Sequence, residues 1–114
     1  MNVMSLSKRV ALLTVFAAAM AGPAMAGCYE SGVDCTDDHN IPKSILRTLS
    51  CDALWTIRNS IYNEHGYCFK TAKAKSVFDN SDCSVTNPAY LGFNGYEQTN
   101  IDRIASVESE MSCH

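Results

Sequence analysis

Positive charge is scarce in this sequence: nine Lys and Arg stand against twelve Asp and Glu in 114 residues, for a net charge of −3 and a pI near 5.5. Nucleic acids and anionic membranes reward clustered positive charge, so neither is an expected partner. Repeats, low-complexity tracts and interior linkers are missing, and the composition suits one small domain. Strand signals are weak, because the β-branched run Ser84-Val85-Thr86 is too short to weigh much. The three histidines His39, His65 and His114 have no paired spacing, and no C-x-x-C occurs. Zinc is therefore only a rival to a disulfide reading of the thiols, and no metal or cofactor is expected. No spacing of nucleophile and base is recognisable, so the chain is not expected to be an enzyme.

What is present begins with an address. Lys8 and Arg9 precede an apolar stretch from Val10 to Ala21, and Ala24-Met25-Ala26 forms an A-x-A cleavage site before Gly27. Residues 1–26 thus read as a secretory signal. The twelve apolar residues are fewer than the roughly 20 a membrane-spanning helix needs, and no transmembrane segment is expected after cleavage. The remaining 27–114 keep all twelve acidic residues and seven basic ones, a net charge of −5. The expected location is secreted or periplasmic. One alternative stands beside it: Met25-Ala26-Gly27-Cys28 looks like a lipobox, which would anchor the chain as a lipoprotein through Cys28. Lipidation would leave five cysteines, an odd and reactive set, so parity favours the soluble form.

The periodicity predicts an all-α domain of three to four short helices stapled by disulfides. Residues 27–48 read as an N-terminal loop and a short helix, with Pro42 suited to the first turn and Ile45, Leu46 and Leu49 at helical spacing. The main helix is predicted from Ser50, a plausible N-cap, to His65, with Leu54, Ile57, Ile61, Tyr62 and His65 on one face and Gly66 ending it. A second short helix is predicted over Thr71 to Phe78, then a polar loop over 83–95. Asn94 and Glu97 have the spacing of a capping box for a last helix carrying Ile101, Ile104, Val107 and Met111.

Six cysteines allow fifteen pairings, and sequence alone selects none. If the two longer helices pack antiparallel, the start of the first lies beside the end of the second and Cys51 meets Cys113. Cys68 would then join Cys83, and Cys28 would join Cys35.

From Leu54 to Phe69 the chain reads L-W-T-I-R-N-S-I-Y-N-E-H-G-Y-C-F. This resembles the YARHG domain, a presumed extracellular bacterial module. Tyr62, His65 and Gly66 match its motif, whereas Asn63 and Glu64 stand where the family has Ala and Arg. Arg58, Asn59, Tyr67, Phe69, Phe78, Glu97, Asn100 and Ile101 also fit the pattern, so the resemblance spans roughly 49–111 and 49–114 reads as a YARHG-like helical domain. After Phe78, Asp82-Cys83 replaces an aromatic pair, as in a cysteine-rich subgroup. The resemblance implies an envelope or secreted location and a compact helical fold, with no catalytic activity.

Several groups invite a role. Arg58 falls inside the apolar face, where a guanidinium must be paired or reach water. It is either an interhelical ion pair with Glu97 or Glu108, or an anion-binding group in a cleft. Asn59 would bond loop backbone, such as the 83–95 segment, or a ligand amide. His65 ends its helix, where it would cap or pack, or act in catalysis with Glu64 or Arg58. Tyr62, Tyr67, Phe69 and Phe78 are expected in the core. Tyr90, Phe93 and Tyr96 either fold back over it or form a recognition surface. The expected function is a non-enzymatic module binding an envelope polymer or protein, and the alternative is an inhibitor of, or immunity protein for, an envelope hydrolase.

Overall fold

A computed structural model describes residues 35–114. The signal reading, the lipobox and Cys28 lie outside the described residues. Four α-helices follow one another: α1 (Lys43–Leu46), α2 (Cys51–Glu64), α3 (Ala72–Val77) and α4 (Gly95–Glu110), with a 3-10 turn at Pro88–Tyr90 before the last. The described domain is all-α.

Local chemistry sets each boundary of the two long helices. The Ser50 side chain accepts the Ala53 N–H at 3.1 Å and so satisfies one of the donors a helix start leaves unpaired. At the other end Gly66 takes φ +81°, a left-handed conformation that costs other residues roughly 1–2 kcal/mol. A Cβ there would also meet Ser84 Oγ at 3.1 Å, because the chain returns alongside: the Gly66 carbonyl accepts the N–H groups of Ser84 and Val85. Tyr67 and Val85 consequently form an isolated parallel bridge, which is what becomes of the weak β-branched run. Helix α4 starts at a complete capping box, in which the Asn94 side chain accepts the Glu97 N–H at 2.8 Å and Glu97 Oε1 accepts the Asn94 N–H at 2.9 Å.

Two small cores result. Leu54 and Ile57 of α2 meet Ile104 and Val107 of α4, with Ile41 and Leu46 closing one end. Truncating one of these side chains, Leu54 or Ile104 for example, removes about 2–5 kcal/mol, a large share of a small domain's stability. Phe69, Ala74 and Phe78 form the second core, with Trp55, Tyr62 and Tyr67 against it. Each core has its own staple, Cys51–Cys113 with Cα atoms 5.5 Å apart for the first and Cys68–Cys83 at 5.1 Å for the second. Cys35 is not a free thiol either, while its predicted partner Cys28 is outside the described residues.

Side chains of α4 hold the segment before α1 in place. Asn100 is fully buried; its Oδ1 accepts the Ile41 N–H at 2.8 Å, and its amide donates to the carbonyls of Thr36 and His39 at 2.9 and 3.0 Å. Asn94 adds a bond to the Asp37 carbonyl and Arg103 one to that of Ile41, both at 3.0 Å. This irregular stretch thus finds on α4 the partners that its own conformation cannot supply.

Further along, Glu110 accepts from Arg47 Nε at 2.9 Å and from Lys43 Nζ at 3.2 Å, tying α1 to the end of α4. The hydrogen bonds from Arg47 and then Lys43 hold its carboxyl well below the ordinary range, at about 2 against 4.5. A carboxyl whose folded pKa is depressed stabilises the fold above its unfolded value, and the contribution fades as pH falls through the folded one. Urea midpoints taken from about pH 5 down to about pH 2 are therefore expected to fall less steeply for Glu110→Gln than for the wild type. Because these groups are exposed, added salt should shrink the difference.

Candidate functional site

Three neighbourhoods collect the residues singled out by the sequence. The first is the junction between the end of α2 and the start of α4. His65, at the C-cap of α2, has Nε2 2.8 Å from Oε2 of the buried Glu97. A carboxylate only accepts, so Nε2 carries the hydrogen. Since Glu97 Oε1 is taken by the Asn94 N–H, the same carboxylate caps α4 and receives the end of α2. Of the two carboxylates expected for Arg58, Glu97 and Glu108, the first is reached by His65 instead. Arg58 lies two turns earlier and donates through Nε and Nη2 to both oxygens of Glu108, at 2.7 and 3.2 Å. His65 and Arg58 are thus committed to different carboxylates on α4.

Aromatic rings continue from this junction. Phe93 stands edge-on to both His65 and Tyr62, and the contacts run on through Tyr67, Phe69 and Phe78 to Trp55, with centroid separations of 5.0 to 6.0 Å. Such pairs add about 0.5–1.5 kcal/mol each beyond their buried area. Asn59 does not reach the 83–95 segment; it donates to the Trp55 carbonyl one turn back, at 2.9 Å. A residue not singled out, Asn80, performs the loop-binding task instead, accepting the Phe69 N–H and donating to the Phe69 carbonyl.

The second neighbourhood is the segment from 86 to 96. Thr86 to Tyr90 are all exposed, with the Asn87 side chain accepting the Ala89 N–H to close the 3-10 turn. Either side of this run is tied down, by the hydrogen bond from Cys68 N–H to the Val85 carbonyl and by the buried Leu91. The three aromatics predicted here separate: Phe93 turns inward, while Tyr90 is 77% and Tyr96 45% exposed.

The third is a cleft of about 390 Å³ between the start of α2, the end of α4 and α3. Trp55, Arg58 and Glu108 line it, the Cys51–Cys113 bridge borders it, and Lys73 places its ammonium 4.1 Å from the centre of the Trp55 ring. As for metals, the ligand atoms of Cys35, Asp37 and Asp38 lie within 4.8 Å of one another, but a disulfide already occupies the Cys35 sulfur.

The family model of the YARHG domain matches residues 32–109. The chain belongs to the YARHG family. This YARHG domain begins well before Ser50 and takes in the segment that Asn94, Asn100 and Arg103 clamp, so that segment is part of the family's unit. The motif residues now have a physical meaning: Tyr62 anchors rings on both sides, His65 receives the α4 cap and Gly66 makes the turn. YARHG is a presumed extracellular domain of unknown function and is not a known enzymatic one. No helix among the described residues is long and apolar enough to cross a membrane. No curated protein and no solved structure matches the chain.

Proposed function

We propose that this YARHG domain is a secreted or periplasmic recognition module, without catalysis of its own, that binds a component of the bacterial envelope through its tyrosine-bearing segment. The observation that carries this reading is Tyr90, 77% exposed at the end of an exposed five-residue run whose flanks are tied to the body. A tyrosine held this way offers a large amphipathic contact at little entropic cost, which is how binding surfaces use it. Tyr96, in the first turn of α4, adds a second exposed ring. A non-catalytic role draws support from Nε2 of His65 and from Nε and Nη2 of Arg58, which serve interhelical bonds to Glu97 and Glu108.

The oxidised protein is expected to cosediment with washed bacterial envelope, and Tyr90→Ala with Tyr96→Ala to weaken that binding by about tenfold or more. Equal sedimentation of the two proteins would remove the segment from consideration. A second reading, inhibition of an envelope hydrolase, rests on the same exposed run, which could enter a cleft. It requires that the protein slow the digestion of purified cell wall and that Tyr90→Ala relieve the effect.

A further inference from the structure

The cleft beside Trp55 has a chemistry of its own, separate from the tyrosine segment. Its volume of about 390 Å³ falls within the range of small-ligand sites. One wall is the indole of Trp55, backed by Phe78 at 6.0 Å. Two cations, Arg58 and Lys73, line the cleft beside it. Arg58 spends Nε and Nη2 on Glu108, and its Nη1 has no hydrogen-bond partner among the described residues. Lys73 covers the indole but is loosely held, since its contact with Asp52 at 3.3 Å joins two exposed side chains and such pairs contribute little.

Among the charged side chains that line the cleft, Arg58 and Lys73 stand against Asp52 and Glu108, and Lys70 and Lys75 flank Lys73 in sequence. Lys70, Lys73 and Lys75 are three of the five lysines in an otherwise acidic chain, and all are exposed. Lys70 and Lys75 have no ion-pair partner among the described residues. Of the two carboxylates in the cleft, Glu108 is occupied by Arg58 on both oxygens, and Asp52 is open to solvent.

We infer that this cleft binds a carboxylated sugar unit of an acidic glycan, with the pyranose ring against Trp55 and the carboxylate between Lys73 and the free edge of Arg58. The ring takes the place of the Lys73 ammonium on the indole, and Lys73 exchanges Asp52 for the sugar carboxylate. Asp52 and Ser109, both lining the cleft, are left to hydrogen-bond sugar hydroxyls. An acidic peptide fits less well. Proteins that recognise acidic peptide motifs do so with clusters of Arg, whereas this cleft offers one Arg beside an indole wall.

Trp55 is the single tryptophan, so all tryptophan emission comes from a ring that lines this cleft. Titrating the oxidised protein with trigalacturonate is expected to give a saturable emission change that neither galactose nor sodium acetate reproduces at matched ionic strength. Lys73→Ala should shift the midpoint by about fivefold, and Arg58→Lys, which keeps the charge opposite Glu108 but loses the planar fork, by about tenfold. Midpoints are compared because removing Lys73 itself alters the indole's surroundings. An equal response to galactose or acetate, an unshifted midpoint in both variants, or no emission change with any probe would overturn the assignment. Saturation by polyglutamate and not by trigalacturonate would overturn it in favour of an acidic peptide.

Discussion

Replacing Cys51 and Cys113 together by Ser is expected to lower the unfolding free energy by about 4 kcal/mol, because the bridge closes a loop across a sequence separation of 62. Small domains are stable by only about 5–15 kcal/mol in total, so the loss approaches the whole margin at the low end. The Cys68–Cys83 bridge, with a separation of 15, should contribute about 3 kcal/mol by the same relation. Urea unfolding separates the two effects. The Cys51/Cys113 variant should show both an earlier midpoint and a steeper dependence on urea, since its unfolded chain exposes more surface. A loss under about 1 kcal/mol would mean that helix packing, not the bridge, sets the distance between the start of α2 and the end of α4.

Asn100→Ala is expected to remove about 3 kcal/mol, although the substitution improves helix propensity. One side chain satisfies the N–H of Ile41 and the carbonyls of Thr36 and His39, so its loss leaves three backbone groups to find water or break loose. The signature is local as well as global: the Ile41 amide should lose hydrogen-exchange protection before Leu54 does. Equal protection of both amides in the variant would show that Arg103 and Asn94 hold the segment without Asn100.

The long helices were legible because their caps and periodicity are local. Ser50 and Asn94 mark the starts of α2 and α4, Gly66 marks the turn after α2, and the antiparallel packing that follows from them brings Cys51 to Cys113. The hydrogen bonds from Asn100 to Ile41, Thr36 and His39 span 59 to 64 residues and leave no periodic trace. A signal did exist. Asn100 shares the buried face of α4 with Glu97, Ile101, Ile104 and Val107, and a polar residue on an apolar stripe must have a partner, which is the argument that drew attention to Arg58. Which partner each takes depends on the rotation of the helices, and for that reason Arg58 and His65 could not be allotted to Glu108 and Glu97 beforehand. Asn59 illustrates the opposite case: a carbonyl one turn away was closer than any loop. Tyr90, Phe93 and Tyr96 occupy one loop and one helix start, and no pattern in so short a stretch distinguishes the ring that turns inward from the two that do not.

The series of rings from His65 to Trp55 gives the molecule an optical property. Tyr62 and Tyr67 stand in it between Phe93 and Phe69, within a few ring diameters of the lone indole. Light absorbed by those phenols can therefore pass to Trp55 without a photon being emitted, and because Tyr67 lies outside α2 whereas Tyr62 and Trp55 lie on it, the Tyr67 share of that transfer becomes an internal ruler for the docking of residues 67–93 on α2.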